Sequence, residues 1–500
     1  MNLIMLLEMA ASGFGDRVAV QNGDARITYE ELYRAAGAAA AEITASGAKT
    51  VGLLDVNSLA VPIALFAAAW AGVPFAPLNY RLTGVELDAL LDRIDPAYLV
   101  TDDARADALA GRPSTTVVRR DEFIGKARAG GSADSAPVAD PDAIAILLFT
   151  SGTTGAPKAA VLRHRHLFSY VVGSVEFGGA AVDDAALVSV PPYHIAGMAS
   201  IASSVYAGRR IVQLESFSPQ AWIAAARDEH VTNAMVVPTM LVRIVDALEA
   251  SGGAALPHLR AVAYGGSKMP LAVIERAMEL LPATGFTNAY GLTETTSTIT
   301  ILTPDDHREA VGSDDPDVRR RLVSLGRPLP GVEIEIRDEL GAPLGPGDKG
   351  EIYVRGEQVS GEYLEQGSRL DAEGWFPTRD GGWLDADGYL FLEGRIDDVI
   401  VRGGENISPG EIEDTILAHE AVADCAVVGI PDEQWGEAVA AVIVLREGHT
   451  VTAEEIREWV TAHLRSSRAP ARVEFRDELP HTETGKLLRR VVRADLTPAD

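Results

Sequence analysis

The chain has 500 residues and a mass of 53.0 kDa, with 47% hydrophobic and 23% charged side chains, which excludes a disordered or collagen-like polypeptide and fits a folded protein of about two to four domains. Its formal charge is −28 at pH 7, from 72 acidic and 44 basic side chains, and so acidic a surface disfavours nucleic acid and anionic lipid as main partners. A single cysteine, Cys425, excludes an internal disulfide framework and cysteine-based metal clusters.

The apolar start, Met1 to Leu7, reaches Glu8 with no basic flank, too short for a signal peptide or a membrane span. A cytoplasmic protein is the expectation. Residues 16–29 read as two short strands around an Asn-Gly-Asp turn. A helix over 30–46, a strand over 51–54, a helix over 58–71, a strand over 74–77, a helix over 82–93 and a strand over 97–101 follow. That alternation points to a layered α/β fold with a largely parallel sheet.

Residues 129–137 form a Gly- and Ser-rich loop, and 144–149 a strongly hydrophobic strand. Helices over 219–231 and 238–250 alternate with strands over 234–237 and 259–264. From 326 to 395 the texture changes to short strands with Gly, Pro and Asp turns, the pattern of a small β-barrel. A compact α+β unit follows, with a strand over 423–428 and helices over 452–464 and 486–495. The expected division is 1–395, including the barrel part, and 396–500.

The chemistry concentrates first in Leu148-Phe-Thr-Ser-Gly-Thr-Thr-Gly-Ala-Pro-Lys158. A buried strand runs into a loop of hydroxyls and glycines closed by a lysine, one of six in the chain. Glycines let successive backbone N–H groups converge, hydroxyls add donors, and the lysine adds a cation, which together cradle phosphate. The Walker spacing is absent, because Gly152 and Gly155 are three apart and Pro157 precedes the lysine.

This segment resembles the signature loop of the adenylate-forming superfamily, which includes acyl-CoA synthetases, peptide-synthetase adenylation domains and luciferases. Other blocks of that family are matched in order along the whole chain. Pro192-Tyr-His194 resembles the block whose histidine sits near the acyl pocket and the thioester channel. Ala263-Tyr-Gly265-Gly266-Ser267 resembles the lining of the carboxylate and adenine site, and Asn288-Ala289-Tyr290-Gly291-Leu-Thr293-Glu294 the adenine-stacking block. The resemblance implies Thr293 toward phosphate and Glu294 toward Mg²⁺. It implies phosphate contacts for Thr150, Ser151, Gly152, Thr153, Thr154, Gly155 and Lys158. Thr378-Arg-Asp380 resembles the ribose-binding block, and Gly394-Arg395-Ile-Asp397 the hinge, with Arg395 reaching the ribose and Asp397 as pivot. Gly403-Gly404-Glu-Asn resembles the segment that admits the pantetheine arm of CoA, and Pro480-His-Thr-Glu-Thr-Gly-Lys486 the lysine loop of adenylation. His481 stands where that loop usually has a basic lysine, and Thr484 where it usually has serine.

The resemblance implies a large N-terminal domain of layered α/β subdomains with a small β-barrel, and a small mobile α+β C-terminal domain. It implies an ATP- and Mg²⁺-dependent acyl-CoA synthetase, with a free-standing carrier protein as the alternative acceptor. Amino-acid-activating relatives carry an aspartate near position 193; Tyr193-His194 offers the substrate ammonium no partner, so an amino acid is disfavoured. Ala196, Gly197, Ser200 and Thr295 are candidates for the acyl pocket, and their small size favours a bulky or long hydrophobic acid: aryl, fatty or polycyclic terpenoid. The run Arg465, Arg468, Arg472, Arg476, Lys486, Arg489, Arg490 and Arg493 either meets CoA phosphates or forms an ordinary basic face. Cys425 is expected to be a bystander, and the protein a monomer or homodimer.

Overall fold

Local signals set several helix starts. Thr28 caps the Tyr29–Ser46 helix in a capping box with Glu31, and Gly47 ends it in a left-handed conformation. The alanines of that helix, Ala35, Ala36, Ala39 and Ala40, are buried and let it pack closely on the Ala60–Ala71 helix, which is apolar on every side because almost all of it is buried. The computed structural model describes residues 1–130, 136–150, 157–252, 256–432, 434–482 and 487–497. Its contacts divide it into two compact units, Met1–Glu333 with Val354–Phe376, and Ile334–Tyr353 with Pro377–Asp500.

The first unit holds two large sheets. A nine-stranded sheet runs Arg327–Pro328, Ser297–Leu302, Gly285–Leu292, Ala261–Gly265, Asn233–Val236, Ala185–Val188, Arg210–Gln213, Val18–Asn22, Ala25–Thr28, and its five middle strands from Gly285–Leu292 to Arg210–Gln213 are parallel. An eight-stranded sheet centres on Thr50–Leu54 and carries the antiparallel pair Ile144–Thr150 and Lys158–Arg163. Two helices absent from the sequence reading, Ile4–Phe14 and Ile195–Ala207, both start without a side-chain cap. Asn2 Oδ1 accepts from the Ile4 amide at 3.1 Å at the start of the first, and burial of Ile4, Leu6, Leu7, Met198, Ile201 and Val205 in the shared core holds both.

A four-stranded sheet of Glu333–Arg337, Gly350–Arg355, Phe376–Leu384 and Leu390–Arg395, most of whose residues fall in the second unit, occupies the segment read as a barrel. A five-stranded sheet follows, built on the long antiparallel pair Val422–Asp432 and Gly436–Leu445. Cys425 lies buried in its core, where burial pushes the thiol well above its ordinary range. Glu413, buried under this sheet, accepts from the Val427 amide at 2.8 Å and pairs with Arg489 at 2.5 Å. Among the described residues no helix is long and apolar enough to cross a membrane.

Two histidines at the start of the His164–Ser174 helix are buried with Nδ1 accepting from a backbone amide: His164 from Leu3 and His166 from Arg163, each at 3.3 Å. Burial holds both imidazoles neutral, with the pKa pushed from 6.5 to about 4. Because the unfolded chain binds these protons more tightly, their contribution to stability is fully present above pH 6.5 and is lost as pH falls toward 4. Thermal unfolding is therefore expected to be nearly constant between about pH 7 and 8 and to drop through that acid window. His166→Gln should flatten the drop; an unchanged slope would contradict the assignment.

Candidate active site

The Ile144–Thr150 and Lys158–Arg163 strands bring the two ends of the hydroxyl-glycine loop together, with Thr150 paired in register to Lys158. Ser151, Gly152, Thr153, Thr154 and Gly155 lie outside the described residues. Lys158 directs its ammonium over the Tyr363 ring, 5.4 Å from the centroid. The Tyr363 hydroxyl donates to Glu294 Oε1. The Glu294 backbone carbonyl accepts from the amides of Ser360 and Gly361 at 2.9 and 3.0 Å. Three distant stretches of chain thus meet around one carboxylate. Sequence reading missed Tyr363, which stands in a two-residue strand pairing with Ala160.

Glu294 lies in a single 3-10 turn, Thr293–Thr295, and is half-buried. Thr296 and Ser297 follow with φ of 57° and 88°, conformations that L-residues rarely adopt. Neighbouring bonds hold this turn: the Thr296 hydroxyl donates to Gln358 O at 2.7 Å, and the Gln358 amide donates to Thr295 O and Thr298 O. Thr295, expected on the acyl wall, is fully buried, and its hydroxyl accepts from the Leu292 amide at 2.9 Å. Thr293 stays half-buried at the front of the turn.

The glycines permit close backbone approach. A Cβ on Gly265 would stand 2.0 Å from Ala289 O, and one on Gly291 would stand 1.7 Å from Ser297 O. Gly266 has φ of +92°, and Ser267 follows it. Asn288 is buried and donates to Ser324 O at 2.9 Å, while Ala289, half-buried, and Tyr290, buried, continue the same strand. Glu294 Oε2 has no protein partner among the described residues, and no group of three or more His, Cys, Asp or Glu there could hold a metal ion. That donor set suits Mg²⁺, which commonly takes one or two carboxylates together with substrate phosphates and water.

His194 precedes the Ile195–Ala207 helix, its ring 4.5 Å from that of Tyr193, which meets Tyr80 in turn. Its Nε2 is buried without a partner among the described residues, and burial pushes the imidazole down to about 4. The ring is therefore neutral at pH 7. Ala196 and Ser200 lie half-buried one turn apart, with Ser200 Oγ 3.9 Å from Met235 Sδ. Gly197 serves packing rather than volume: a Cβ there would stand 3.1 Å from Pro191 O.

In the second unit, Asp380 pairs in register with Arg395, whose Nε stands 3.0 Å from its carboxylate. Arg395 also donates to Thr378 O. Arg379, at a left-handed φ of +61°, reaches Asp397 at 2.6 Å. Gly403 and Gly404 have φ of +59° and +83°, and the Gly403 amide donates to Trp435 O at 2.8 Å. Trp435 is 44% exposed under the Arg402 guanidinium and lies so close that a Cβ on Gly403 would stand 2.7 Å from its ring. Lys486 lies outside the described residues. Most of the arginine run has acidic partners: Arg468 with Glu405 and Glu411, Arg472 with Glu474, Arg476 with Glu474 and Asp495, Arg489 with Glu413 and Asp398, and Arg493 with Glu437. Arg465 stands 4.0 Å from Glu405 with its side chain 84% exposed, and Arg490 is exposed.

Residues 7–364 match the family model of the AMP-binding enzymes, and residues 411–486 match that of the AMP-binding enzyme C-terminal domain. The chain is 33% identical over 482 residues to a fatty acid–[acyl-carrier-protein] ligase of Streptomyces coeruleorubidus, covering 93% of this chain and 91% of the relative. It is 32% identical over 488 residues to a feruloyl-CoA synthase of an Amycolatopsis species, covering 95% of each. Its structure is similar to that of o-succinylbenzoate CoA synthetase from Bacillus subtilis in complex with an acyl-adenylate intermediate, with a TM-score of 0.84, 29% identity, and coverage of 99% of this chain and 98% of the other.

Gly291→Ala must displace Ser297 and the turn that carries Glu294, at a cost of about 1–3 kcal/mol. Chemical denaturation should show that loss; a variant as stable as the parent would mean the approach is not enforced.

Proposed function

Because this chain belongs to the AMP-binding enzyme family, we propose that its site joins a carboxylic acid to the α-phosphate of ATP and then passes the acyl group to CoA. It is an adenylate-forming carboxylic acid–CoA ligase. The observation that carries the reading is the half-buried carboxylate of Glu294 held beside the Lys158 ammonium by Tyr363, at the ends of the hydroxyl-glycine loop.

The first step brings an anionic carboxylate against an anionic phosphate, so it needs donors that strengthen as charge moves onto the departing pyrophosphate. Lys158, Thr293, Thr150 and the loop of Ser151, Gly152, Thr153, Thr154 and Gly155 supply them. Glu294 Oε2 would hold Mg²⁺, which supplies Lewis-acid charge neutralisation at the phosphates. Tyr363 keeps Oε1 occupied, so the carboxylate presents its other oxygen in a fixed direction. The backbone about Gly265, Gly266 and Ser267 and the strand from Asn288 to Gly291 flank the adenine and the reacting carboxylate. Asp380 accepts from the ribose hydroxyls, oriented by Arg395. Lys486 neutralises charge during adenylation, and a turn of the C-terminal domain about Asp397 then exchanges it for the face of Gly403 and Gly404. There the CoA sulfur attacks the acyl carbonyl, the thioester forms, and AMP leaves with the electron pair of the broken acyl–oxygen bond. Neutral His194 keeps a cation out of the acyl site. The acid is hydrophobic, and the half-buried Ala196 and Ser200 face it.

Pyrophosphate release from a panel of aryl, fatty and terpenoid acids, each with and without CoA, tests the reading. Turnover that requires CoA, with acyl-CoA detected by mass, is expected. Vigorous release without any CoA thioester would favour a carrier protein as acceptor, a reading that the fatty acid–[acyl-carrier-protein] ligase relative supports.

Two variants separate the roles. Lys486→Ala should lower acyl-AMP formation at least a hundredfold while sparing CoA attack on supplied acyl-AMP, and equal loss in both assays would sink the domain alternation. Tyr363→Phe should raise the Mg²⁺ concentration needed for half-maximal rate several-fold, because Glu294 Oε1 loses its donor. An unchanged Mg²⁺ dependence would remove Tyr363 from the account.

A further inference from the structure

We infer that Gln213 is the polar end of the acyl site and selects acids that carry a hydroxyl or carbonyl group at the end opposite their carboxylate. The inference rests on the adenylation reading and names the substrate class for the same site. Neither the sequence motifs nor the constellation around Glu294 involves this residue.

Gln213 pairs with Val188, Val188 with Met235, Met235 with Ala263, and Ala263 with Thr287. Partners in a parallel sheet share a face, so these five residues form one row, which reaches the carboxyl ends of its strands at Val188 and Gln213. Ligands of open α/β sheets bind at that edge. Ser200 Oγ touches Met235 Sδ, which puts the Ile195–Ala207 helix above the row. Met235, Ala263 and Thr287 are half-buried, whereas Val188 and Gln213 are fully covered. The row therefore runs from the strand of Gly265, where adenylation puts the carboxylate, toward a closed end at Gln213.

That closed end is polar and unpaired. Gln213 is 4% exposed, and neither its Nε2 nor its Oε1 has a partner among the described residues. Ser189 Oγ and Asn57 Oδ1 are buried and unpaired in the same region. Asn57 Nδ2 joins the two chain segments that follow these residues, donating to Val190 O at 3.1 Å and to Leu214 O at 3.2 Å. A buried amide with no partner loses the hydration it had in water and gains nothing in return. A site for plain hydrocarbon would be better served by Leu or Met. A bound hydroxyl or carbonyl supplies what the amide lacks, because Gln213 can donate through Nε2 and accept through Oε1. The flexible Met235 thioether is the side chain on the row best able to move aside for a ring.

Spacing sets the size of the acid. Three inter-strand steps separate the strand of Gly265 from that of Gln213, about 14 Å in all. The contacts at the two ends take up about 4–5 Å of this, leaving roughly 9–10 Å between carboxylate and polar atom. A phenylpropenoic acid with a para hydroxyl has that reach, and so does a ten-carbon hydroxy acid in a bent form.

The test compares kcat/KM for pairs that differ by one oxygen: 4-hydroxycinnamate with cinnamate, and 10-hydroxydecanoate with decanoate. The enzyme is expected to favour the hydroxylated member of at least one pair tenfold or more. In Gln213→Leu that ratio should fall to within threefold of one, and in Gln213→Met likewise, a second variant in case the first does not fold. A ratio near one in the parent enzyme, or a preference that survives in a folded variant, overturns the inference, and in either case water would account for the unpaired amide. If no acid in any assay releases pyrophosphate, the adenylation reading falls and this inference falls with it. Acids that turn over without preference remove only the role of Gln213.

Discussion

The Tyr363 ring links parts of the chain that are far apart in sequence. One face receives the Lys158 ammonium from the strand that closes the hydroxyl-glycine loop, and its hydroxyl holds one oxygen of Glu294. The chain on either side of Glu294 is constrained in turn, by Gln358 against Thr295 and by Ser360 and Gly361 against the Glu294 carbonyl. Ser360 also donates to Val161 O, which ties the same segment back to the Lys158–Arg163 strand. A carboxylate and an ammonium are thus held on one aromatic ring within the first unit. Together they suit a ligand that brings phosphate and a divalent cation.

The charge distribution explains why such construction is needed. A net charge of −28 gives no general attraction for an anionic substrate. The basic run near the C-terminus does little to offset it, since most of its arginines are committed to Glu405, Glu411, Glu413, Glu437, Glu474 or Asp495. Specific cations and backbone amides have to do what the overall field does not. The Asp380–Arg395 pair in the second unit follows the same logic, an acceptor oriented by a neighbouring guanidinium on an adjacent strand.

Much of this was legible in sequence wherever the chemistry is local. Alternation of apolar segments gave the layered α/β reading, and the strand before Thr150 with its Gly-rich continuation needs only neighbouring residues to be recognised. Tyr363 was not legible, because its partners lie on a distant strand and a distant turn and nothing beside it in the chain marks it. Gln213 was hidden for a related reason: its burial and its place on the row depend on register with Val188, not on its neighbours. Gly197 suggested pocket volume, yet its smallness answers to the approach of Pro191 O. The arginines read as a positive face because acidic partners such as Glu405 and Glu411 come tens of residues earlier. The helix Ile4–Phe14 was missed because its one local signal, Asn2, is brief and tertiary burial supplies most of what holds it.

The central claim is that the acid's own carboxylate attacks the α-phosphate. Running a single turnover with an acid labelled with ¹⁸O in both carboxyl oxygens, and weighing the products, tests it most directly. The account predicts one ¹⁸O atom in AMP, one in the acyl-CoA carbonyl, and none in pyrophosphate. Label appearing in inorganic phosphate, with ADP as the nucleotide product, would mean attack at the γ-phosphate and would contradict the adenylate.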